Sequence, residues 1–321
     1  MYPCWNARAV GLNLSAQDTI EIAAKAGFEG VDLLVRDLVE ARADVDGLRG
    51  RMDDLNLRGG AWPLPMDWKN DREAFEHDLK RLPAYAATAR KLGLERTGTW
   101  VRFETDPVED VDRLSEADRA RLADQATAWQ IDRLGRIARI LDDHGSRLGL
   151  EIIGSQVAPS GRGVRLVGTY AELRRRFQRL TAEHPNVGVL VDAFHIFASG
   201  EAVDDVLQGG AESVAWVHLA DPAQLDRSSL RDEERALPGE GGAGVCEVLL
   251  ASLAKADYQG PITAEPLGRC RALEGLAPPS IAIKTRESLR RVWPEAHPRR
   301  QGHDERRPSP IRRERLPGSL C

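Results

Sequence analysis

Four apolar segments in the second half of the chain are each interrupted by a residue that commonly binds metal ions. These residues are Glu151 in LGLEII, Asp192 in VGVLVDAFH, His218 in VAWVHLAD and Glu265 in PITAEP. An ionised carboxylate within a buried strand is costly unless an opposite charge compensates it. Four successive interruptions therefore indicate one shared centre. In parallel strands of a barrel, the carboxyl ends meet on one face, where three carboxylates and one imidazole would suit a divalent cation.

The spacing of the apolar segments predicts eight strands with helices between most of them. We expect the strands near residues 8–13, 31–35, 57–61, 97–101, 148–153, 187–192, 214–219 and 261–265. This alternation is typical of βαβ units in a parallel sheet. A doubly wound open sheet is the competing architecture, but no G-x-G-x-x-G follows the first strand and no Walker-type Gly-Lys-Ser/Thr occurs. We therefore predict an α/β fold, a (β/α)8 TIM barrel that forms a single domain over residues 1–296.

Two of the helices carry clear local signals. Ser15 and Asp18 form a start that resembles a capping box, and Gly27 supplies the stop of the first helix. The clearest helix is expected over residues 123–143, because one face is apolar, the other is charged, and Gly145 follows. Helices of this kind are the connections that a parallel barrel needs.

The composition is that of an ordinary globular protein, with 42% hydrophobic and 30% charged residues in 321. The sequence contains no apolar run long enough for a membrane span, and its start lacks a signal-peptide pattern. We therefore expect a cytoplasmic protein that does not associate with membranes. The cysteines lack C-x-x-C spacing and are expected to be free thiols; they are Cys4, Cys246, Cys270 and Cys321.

The end of the chain differs in composition from the rest. Residues 297–321 carry a net charge of +4 and few apolar side chains, whereas residues 1–296 carry −9. We predict that residues 297–321 form a disordered basic tail, and an arm for an anionic partner is the alternative. Nucleic-acid binding is not expected, because a body of this negative charge lacks the clustered Lys and Arg that neutralise phosphates.

The motifs around the four metal-type residues resemble those of the xylose-isomerase-like barrel superfamily. The shared motifs are LGLEIIG, DAFH, VHLAD, RALPGEGG and GPITAEPL, in this order over about residues 145–270. The first half is similar more loosely, through AGFEGVDL and WPLP. Members of this superfamily include sugar isomerases, ketose 3-epimerases, inosose dehydratase and endonuclease IV. The resemblance implies the same barrel fold as the strand pattern.

The resemblance to the ketose 3-epimerases implies that Glu151, Asp192, His218 and Glu265 are the metal ligands. Hard oxygen donors with one imidazole favour Mn²⁺, with Mg²⁺ or Co²⁺ as alternatives. A bound cation would polarise a sugar carbonyl and acidify the adjacent C–H, so that an enediolate can form. In the epimerases, the first and last glutamates of the set move the proton from opposite faces, which implies that Glu151 and Glu265 are also the catalytic acid and base.

Five further residues are candidate contacts for the substrate or for the metal ligands. The resemblance implies that His195 and Arg235 contact substrate and that Asp221 orients the loop or the imidazole partner. Trp62 and Trp100 end predicted strands and could form an apolar wall for a sugar. Each has a structural alternative: a histidine that caps the sheet, an arginine solvated beside neighbouring acids, or tryptophans packed in the core.

Two departures from the epimerase pattern leave the reaction open. Val157 and Gln224 stand where the epimerases carry a glutamate and an arginine. The first hypothesis is a divalent-metal-dependent sugar or polyol isomerase/epimerase, and its partner would be a small-molecule carbohydrate. A dehydratase-type lyase acting on an inosose-like keto-polyol is the alternative, and a non-catalytic sugar-binding barrel is a third. A nuclease is disfavoured, because endonuclease IV needs several more active-site histidines, whereas His77, His144 and His184 fall in helical or loop contexts. The sequence leaves the oligomeric state open, including a homo-oligomer.

Overall fold

Short parallel strands form the centre of the molecule. The computed structural model describes residues 1–294. Its strands are β1 (Tyr2–Trp5), β2 (Gly30–Val31), β3 (Arg58–Gly59), β4 (Ala61–Pro63), β5 (Arg96–Trp100), β6 (Arg147–Glu151), β7 (Val187–Asp192), β8 (Val214–Leu219), β9 (Asp221–Pro222), β10 (Arg235–Ala236) and β11 (Pro261–Ala264). Nine of them pair in the order β3-β2-β1-β11-β8-β7-β6-β5-β4, and β9 and β10 form a separate antiparallel pair.

One strand of the barrel is divided at Gly60. β3 pairs with β2 on one side of this glycine, and β4 pairs with β5 on the other. A Cβ at Gly60 would lie 2.2 Å from Oδ1 of Asp32, so the side chain of Asp32 requires a glycine here. Because β3 and β4 are parts of one strand, the nine strands make eight positions around a nearly closed circle. The predicted (β/α)8 TIM barrel with a single domain is confirmed.

Helices surround the sheet. They are α1 (Ala16–Lys25), α2 (Val35–Glu40), α3 (Val45–Asp54), α4 (Arg72–Lys91), α5 (Glu116–Asp143), α6 (Tyr170–Glu183), α7 (Ala193–Ser199), α8 (Val203–Val206), α9 (Val245–Lys255) and α10 (Pro278–Val292). The start of α1 is as predicted, since Oγ of Ser15 accepts a hydrogen bond of 3.0 Å from the Asp18 N–H. α5 begins earlier than predicted. Ser115 caps it through the Asp118 N–H at 3.1 Å, in the same Ser-x-x-Asp arrangement.

The predicted position of the first strand was wrong. The structure has β1 at Tyr2–Trp5, whereas Arg8–Val10, within the predicted strand 8–13, form a 3₁₀ turn. The turn continues into Gly11 at φ +81°, where a Cβ would lie 2.5 Å from the backbone of Gly268. Pro3 argues against a strand by propensity, which is why pairing of β1 with β11 and β2 could not be read from local residue preferences.

The core lies between the sheet and the surrounding helices. In α5 the face carrying Leu134, Ile137 and Leu141 is fully buried, in agreement with the predicted apolar face. No helix among residues 1–294 has the length and apolar character needed to cross a membrane. Cys4, Cys246 and Cys270 are buried free thiols, as expected. The predicted tail 297–321, including Cys321, lies outside the described residues.

Candidate metal centre

The carboxyl ends of four adjacent strands bring the predicted ligands together. Glu151 is the last residue of β6 and Asp192 the last of β7, His218 lies near the end of β8, and Glu265 directly follows β11. The strand register places Asp192 directly opposite His218. One ligand atom from each of the four residues lies within 4.8 Å of the others. Parallel pairing therefore assembles the group that the sequence spacing predicted.

Several buried atoms of this group have no hydrogen-bond partner among the described residues. They are Oε1 of Glu151 and both ring nitrogens of His218. Nδ1 of His218 lies 3.1 Å from Oε2 of Glu265 and 3.6 Å from Oε1 of Glu151, close enough for ion pairing but without hydrogen-bond alignment. Buried polar atoms are normally satisfied, so unpartnered donors and acceptors around one point fit a site for a cation.

Asp192 presents one oxygen to the centre. Its Oδ1 accepts a hydrogen bond of 2.8 Å from the Phe194 N–H at the start of α7. This contact caps the helix and fixes the carboxylate, which leaves Oδ2 facing the group. The chain thus folds from β7 directly into α7 around the carboxylate that the site needs.

The pKa values of the three central groups differ because their surroundings differ. Burial raises the pKa of Glu151 above its ordinary value. Burial acts in the same direction on Glu265, but the charges of His218 and Arg235 outweigh it and hold the pKa of Glu265 at about 2. Burial lowers the pKa of His218, and the two glutamates more than reverse this, so its pKa is raised. In the absence of a cation, a proton on His218 compensates part of the negative charge.

Arg235 is buried beside the centre, with 4% of its surface exposed. Its Nη1 donates to Oδ2 of Asp192 at 2.7 Å and to Oε2 of Glu265 at 3.2 Å. Its Nη2 and Nε donate to the side chain and carbonyl of Asp232 at 2.8 and 2.9 Å. Burial opposes the charge of Arg235, but these carboxylates keep its pKa raised. The alternative of an arginine solvated beside neighbouring acids is wrong, because the guanidinium is enclosed and ion-paired.

His195 lies in the wall of the same pocket. Its Nδ1 accepts a hydrogen bond of 3.2 Å from the Gly154 N–H, so the proton of the neutral ring is on Nε2. That Nε2 lies 3.5 Å from Oδ1 of Asp232. Asp232 is therefore a further member of the site that sequence reasoning missed. It stands in the charged run RDEER, where no feature distinguishes it from a solvated acid.

The pocket above the centre has a volume of about 400 Å³. It is lined by Trp100, Phe103, Glu151, Ile153, His195, Asp232, Arg235, Glu265 and Leu267. A cavity of about 580 Å³ between α1, α2 and α3 is larger, but none of the four candidate ligands lines it. The smaller pocket is the one that exposes candidate ligands, because Glu151 and Glu265 line it.

The two tryptophans occupy different environments. Trp100 is 41% exposed, stacks with Phe103 at 6.2 Å between ring centroids, and lines the pocket. Trp62 is fully buried in the hydrophobic core, as the core-packing alternative described. Only Trp100 is thus open to a bound molecule.

Asp221 lies outside the pocket and is fully buried. Its Oδ2 accepts a hydrogen bond of 3.0 Å from the Gly241 N–H in the RALPGEGG segment. A Cβ at Gly241 would lie 2.7 Å from the Cβ of Asp221, so the loop and the carboxylate pack tightly. The contact orients the loop, which is one of the two roles considered for this residue.

A polar network beneath the centre was also missed. Oδ2 of Asp32 accepts from Oγ1 of Thr263 at 2.6 Å, and Nε1 of Trp216 donates to the same Oγ1 at 3.0 Å. The ring of Trp216 meets His218 edge-on at 4.3 Å. Oδ1 of Asp32 accepts from the Ala61 N–H at 2.7 Å, across the break at Gly60. The motif AGFEGVDL contains Asp32, but nothing in the sequence shows that its partners come from distant strands.

Comparison with known proteins agrees with this geometry. The family model described as xylose isomerase-like TIM barrel matches residues 20–292. The chain belongs to this family. Two solved structures each match 91% of the chain. One is a xylose isomerase domain protein from Alicyclobacillus acidocaldarius, at 25% identity, TM-score 0.74 and 97% of that chain. The other, at 17% identity, TM-score 0.70 and 98% of that chain, is the IolI protein with a bound zinc atom.

The curated relatives that match this chain are named for more than one reaction. A 3-dehydroshikimate dehydratase from Pseudomonas aeruginosa is 24% identical over 89% of the chain. The match covers 43% of that protein, so the chain spans less than half of its length. An inosose isomerase from Bacillus velezensis is 20% identical over 74% of the chain and 79% of its own length. The matched relatives thus include both a dehydratase and an isomerase.

Proposed function

We propose that this chain is a divalent-metal-dependent sugar or polyol isomerase/epimerase. The observation that carries the proposal is the convergence of Glu151, Asp192, His218 and Glu265 within 4.8 Å, with buried atoms of Glu151 and His218 unpartnered. Ionised groups in a low-dielectric site need compensation, and a cation supplies it. The inosose isomerase relative supports the reaction class.

The donor set fits a hard or borderline divalent cation. Three carboxylates and one imidazole contribute no sulfur, which favours Mn²⁺, Mg²⁺ or Co²⁺, and Mn²⁺ is our first choice. Zinc is a further candidate, because the IolI structure contains it. When bound, the cation supplies electrophilic polarisation of a substrate carbonyl and charge neutralisation in the site.

The residues of the chain supply the proton transfer. Glu151 and Glu265 approach the centre from β6 and β11, which lie on either side of β7 and β8 in the sheet. A carboxylate on one side can remove the proton next to a polarised carbonyl, and the other can return one to the opposite face. Removal and return on opposite faces invert the carbon, whereas return to a neighbouring atom isomerises the sugar.

Other side chains of the pocket would hold the substrate in place. Trp100, which is 41% exposed, offers the exposed part of its ring to the C–H side of a sugar. His195 presents its Nε2 side to the pocket and can donate to a hydroxyl in place of Asp232. We assign Arg235 a different role from the substrate contact implied by the resemblance, because its donors are directed at Asp192, Glu265 and Asp232. It holds the ligands rather than the substrate.

A dehydratase is the second candidate, and the 3-dehydroshikimate dehydratase relative favours it over 89% of the chain. The first step would be the same removal of a proton beside a carbonyl. Expulsion of a β-hydroxyl would then need an acid, and Glu151, once it has taken up the proton, could supply it. The two candidates therefore differ in the second step alone.

Deuterium exchange tests the proposal. The protein with Mn²⁺ is incubated in D₂O with ketoses, inososes and 3-dehydroshikimate, and NMR follows exchange and products. Exchange that disappears with EDTA and returns with Mn²⁺ is the expected result. Products separate an epimerase or isomerase from a dehydratase. Absence of metal binding by elemental analysis and of exchange with every compound would contradict the proposal.

A further inference from the structure

A second cavity, of about 650 Å³, lies beside the candidate metal pocket. Three of its lining residues are the cations Lys69, Arg102 and Arg133. Lys69 links it to the metal pocket, because its Nζ lies 3.9 Å from the ring centre of Trp100, which lines that pocket. We call this space the cationic cavity.

Arg133 is a buried charge without a carboxylate in ion-pair contact among the described residues. Only 6% of its surface is exposed, and it forms no ion pair within residues 1–294. Its Nη1 donates to the backbone carbonyls of Trp68 and Asn70, and its guanidinium lies 4.4 Å from the ring centre of Trp129. Burial lowers the pKa of Arg133, and the charges of Asp132, Asp71 and Glu76, which act on this guanidinium from beyond ion-pair distance, do not outweigh it.

Lys69 also lacks an ion-pair partner among the described residues. Its Nζ lies over Trp68 at 4.6 Å and over Trp100 at 3.9 Å, with no carboxylate in ion-pair contact among the described residues. Burial lowers the pKa of Lys69 to about 8; the charge of Asp67 opposes this shift, and the charge of Arg102 adds to it. The ammonium therefore lies between two aromatic rings, and the charge of Asp67 does not outweigh its burial, so a bound anion would stabilise the charged form.

The two carboxylates that line the cavity already interact with other groups of the protein. Asp106 is paired with Arg102 on the exposed rim, and Oδ1 of Asp71 caps α4 by accepting from the Ala74 N–H at 2.9 Å. Arg102 also lies over Trp129, 5.7 Å from the ring centre, so two guanidinium groups share one ring. Asp106 therefore compensates Arg102, whereas Lys69 and Arg133 have no carboxylate in ion-pair contact within residues 1–294, and an external anion would supply that counter-charge.

We propose that the cationic cavity binds an oxyanion, namely the phosphate or carboxylate group of a small molecule. Guanidinium groups match the planar or tetrahedral oxygens of such groups, and Lys69 adds a mobile donor at the side facing Trp100. The oxyanion belongs either to the substrate itself or to a separate anion that binds beside it. Binding at the cavity does not depend on the proposed metal chemistry.

Inorganic phosphate is the probe, and calorimetry measures its binding to the full-length protein after EDTA has removed metal. The ionic strength is held constant, and titration with chloride is the reference. We expect saturable binding in wild type, and a loss of at least ~10-fold in affinity for Lys69→Met and for Arg102→Met. Lys69→Arg should retain binding. The exposed Lys91→Met and Arg113→Met, whose lysine and arginine pair with Asp46 and Asp110, are matched controls and should bind as wild type does.

Two outcomes would overturn the proposal. One is the absence of phosphate binding beyond the effect of chloride, and the other is full binding by a folded Lys69→Met and a folded Arg102→Met. A second arm identifies the source and rests on the proposed function: deuterium exchange of fructose and fructose 6-phosphate by the Mn²⁺-loaded protein. If the oxyanion is the substrate's own, Lys69→Met raises KM for the phosphate ester alone. If it is a separate anion, phosphate binds without competing with either sugar.

Discussion

Glu151 and Glu265 bring the same functional group to the same centre, but their surroundings differ. Oε2 of Glu265 accepts from Nη1 of Arg235 at 3.2 Å and lies 3.1 Å from Nδ1 of His218. Oε1 of Glu151 has no hydrogen-bond partner among the described residues, and its pKa is raised by burial. We infer that Glu265 is held as an ionised ligand, while Glu151 is the more available proton acceptor.

The largest expected effect concerns proton transfer. At matched metal occupancy, Glu151→Gln should lower the rate of substrate deuterium exchange by ~10² to 10⁴-fold, because an amide cannot accept the proton. Glu265→Gln should lower it less. Metal content measured on each variant is the control. Equal exchange by Glu151→Gln and wild type would show that the base lies elsewhere.

The next effect concerns Arg235, on the Glu265 side of the centre. Arg235→Met leaves the buried carboxylates of Asp192 and Glu265 without their donor, so metal-free protein should lose roughly 3–5 kcal/mol in the free energy of unfolding. Urea denaturation with EDTA measures this loss. Arg269→Met, in which an exposed partner of Glu233 is removed, should stay within about 0.5 kcal/mol of wild type. A similar change in both variants would contradict the assigned role of Arg235.

The two glutamates should also differ in their effect on stability. In metal-free protein, Glu265→Gln removes the partner of Arg235 and should cost roughly 3 kcal/mol. Glu151→Gln removes a buried charge without a hydrogen bond and should change the free energy of unfolding by about 1 kcal/mol or less. The comparison uses the same urea titrations. Equal losses in the two variants would remove the basis for treating the residues differently.

A third buried carboxylate, Asp32, separates the effect of burial from that of ion pairing. Burial raises its pKa from 3.8 to about 6 despite hydrogen bonds from Thr263 and Ala61. The native state binds this proton more tightly, so the stabilising contribution is complete below pH 3.8 and is lost as pH rises through about 6. Above pH 6 wild type therefore carries a cost of about 3 kcal/mol.

Asp32→Asn should remove this dependence. The stability of the variant relative to wild type should rise between about pH 4 and pH 7, measured by urea denaturation at intervals. Asp204→Asn, an exposed helical position, is the control for general effects of charge. A constant difference between Asp32→Asn and wild type across this range would show that Asp32 titrates normally.

The smallest expected effect is at His195. His195→Ala should reduce kcat/KM by ~10 to 100-fold without releasing metal, because the ring lines the pocket but is not among the four ligands. Steady-state kinetics with metal analysis measures both quantities. Loss of the metal from this variant would instead place His195 within the coordination of the cation.

Much of the fold could be predicted from sequence because apolar runs and caps are local signals. The strands that end at Glu151, Asp192 and Glu265 were expected within a few residues, and Ser15 caps α1 as predicted. β1 was missed since its pairing partners lie far along the chain. The division at Gly60 was missed for a related reason: a side chain from β2, not a sequence motif, determines it.

The ligand group was predictable because each ligand breaks an apolar run. The surroundings of the ligands were not, since Arg235, Asp232 and Trp62 look the same in sequence whether they face solvent, substrate or core. Burial and ion pairing of Arg235 arise from the packing of β10 and the following loop against β7 and β11. Such packing is tertiary information.

The pairing of β1 with β11 joins the first and the last strand along the described chain, with Tyr2 opposite Pro261. Contacts between such distant segments form late, because a long loop must be closed first. Glu265 directly follows β11, so the last of the four ligands arrives with the strand that closes the barrel. A nascent chain on the ribosome therefore holds an incomplete ligand set until its final strand emerges. Under the proposed metal function, the full ligand set therefore becomes available only after β11 has paired with β1 and β8.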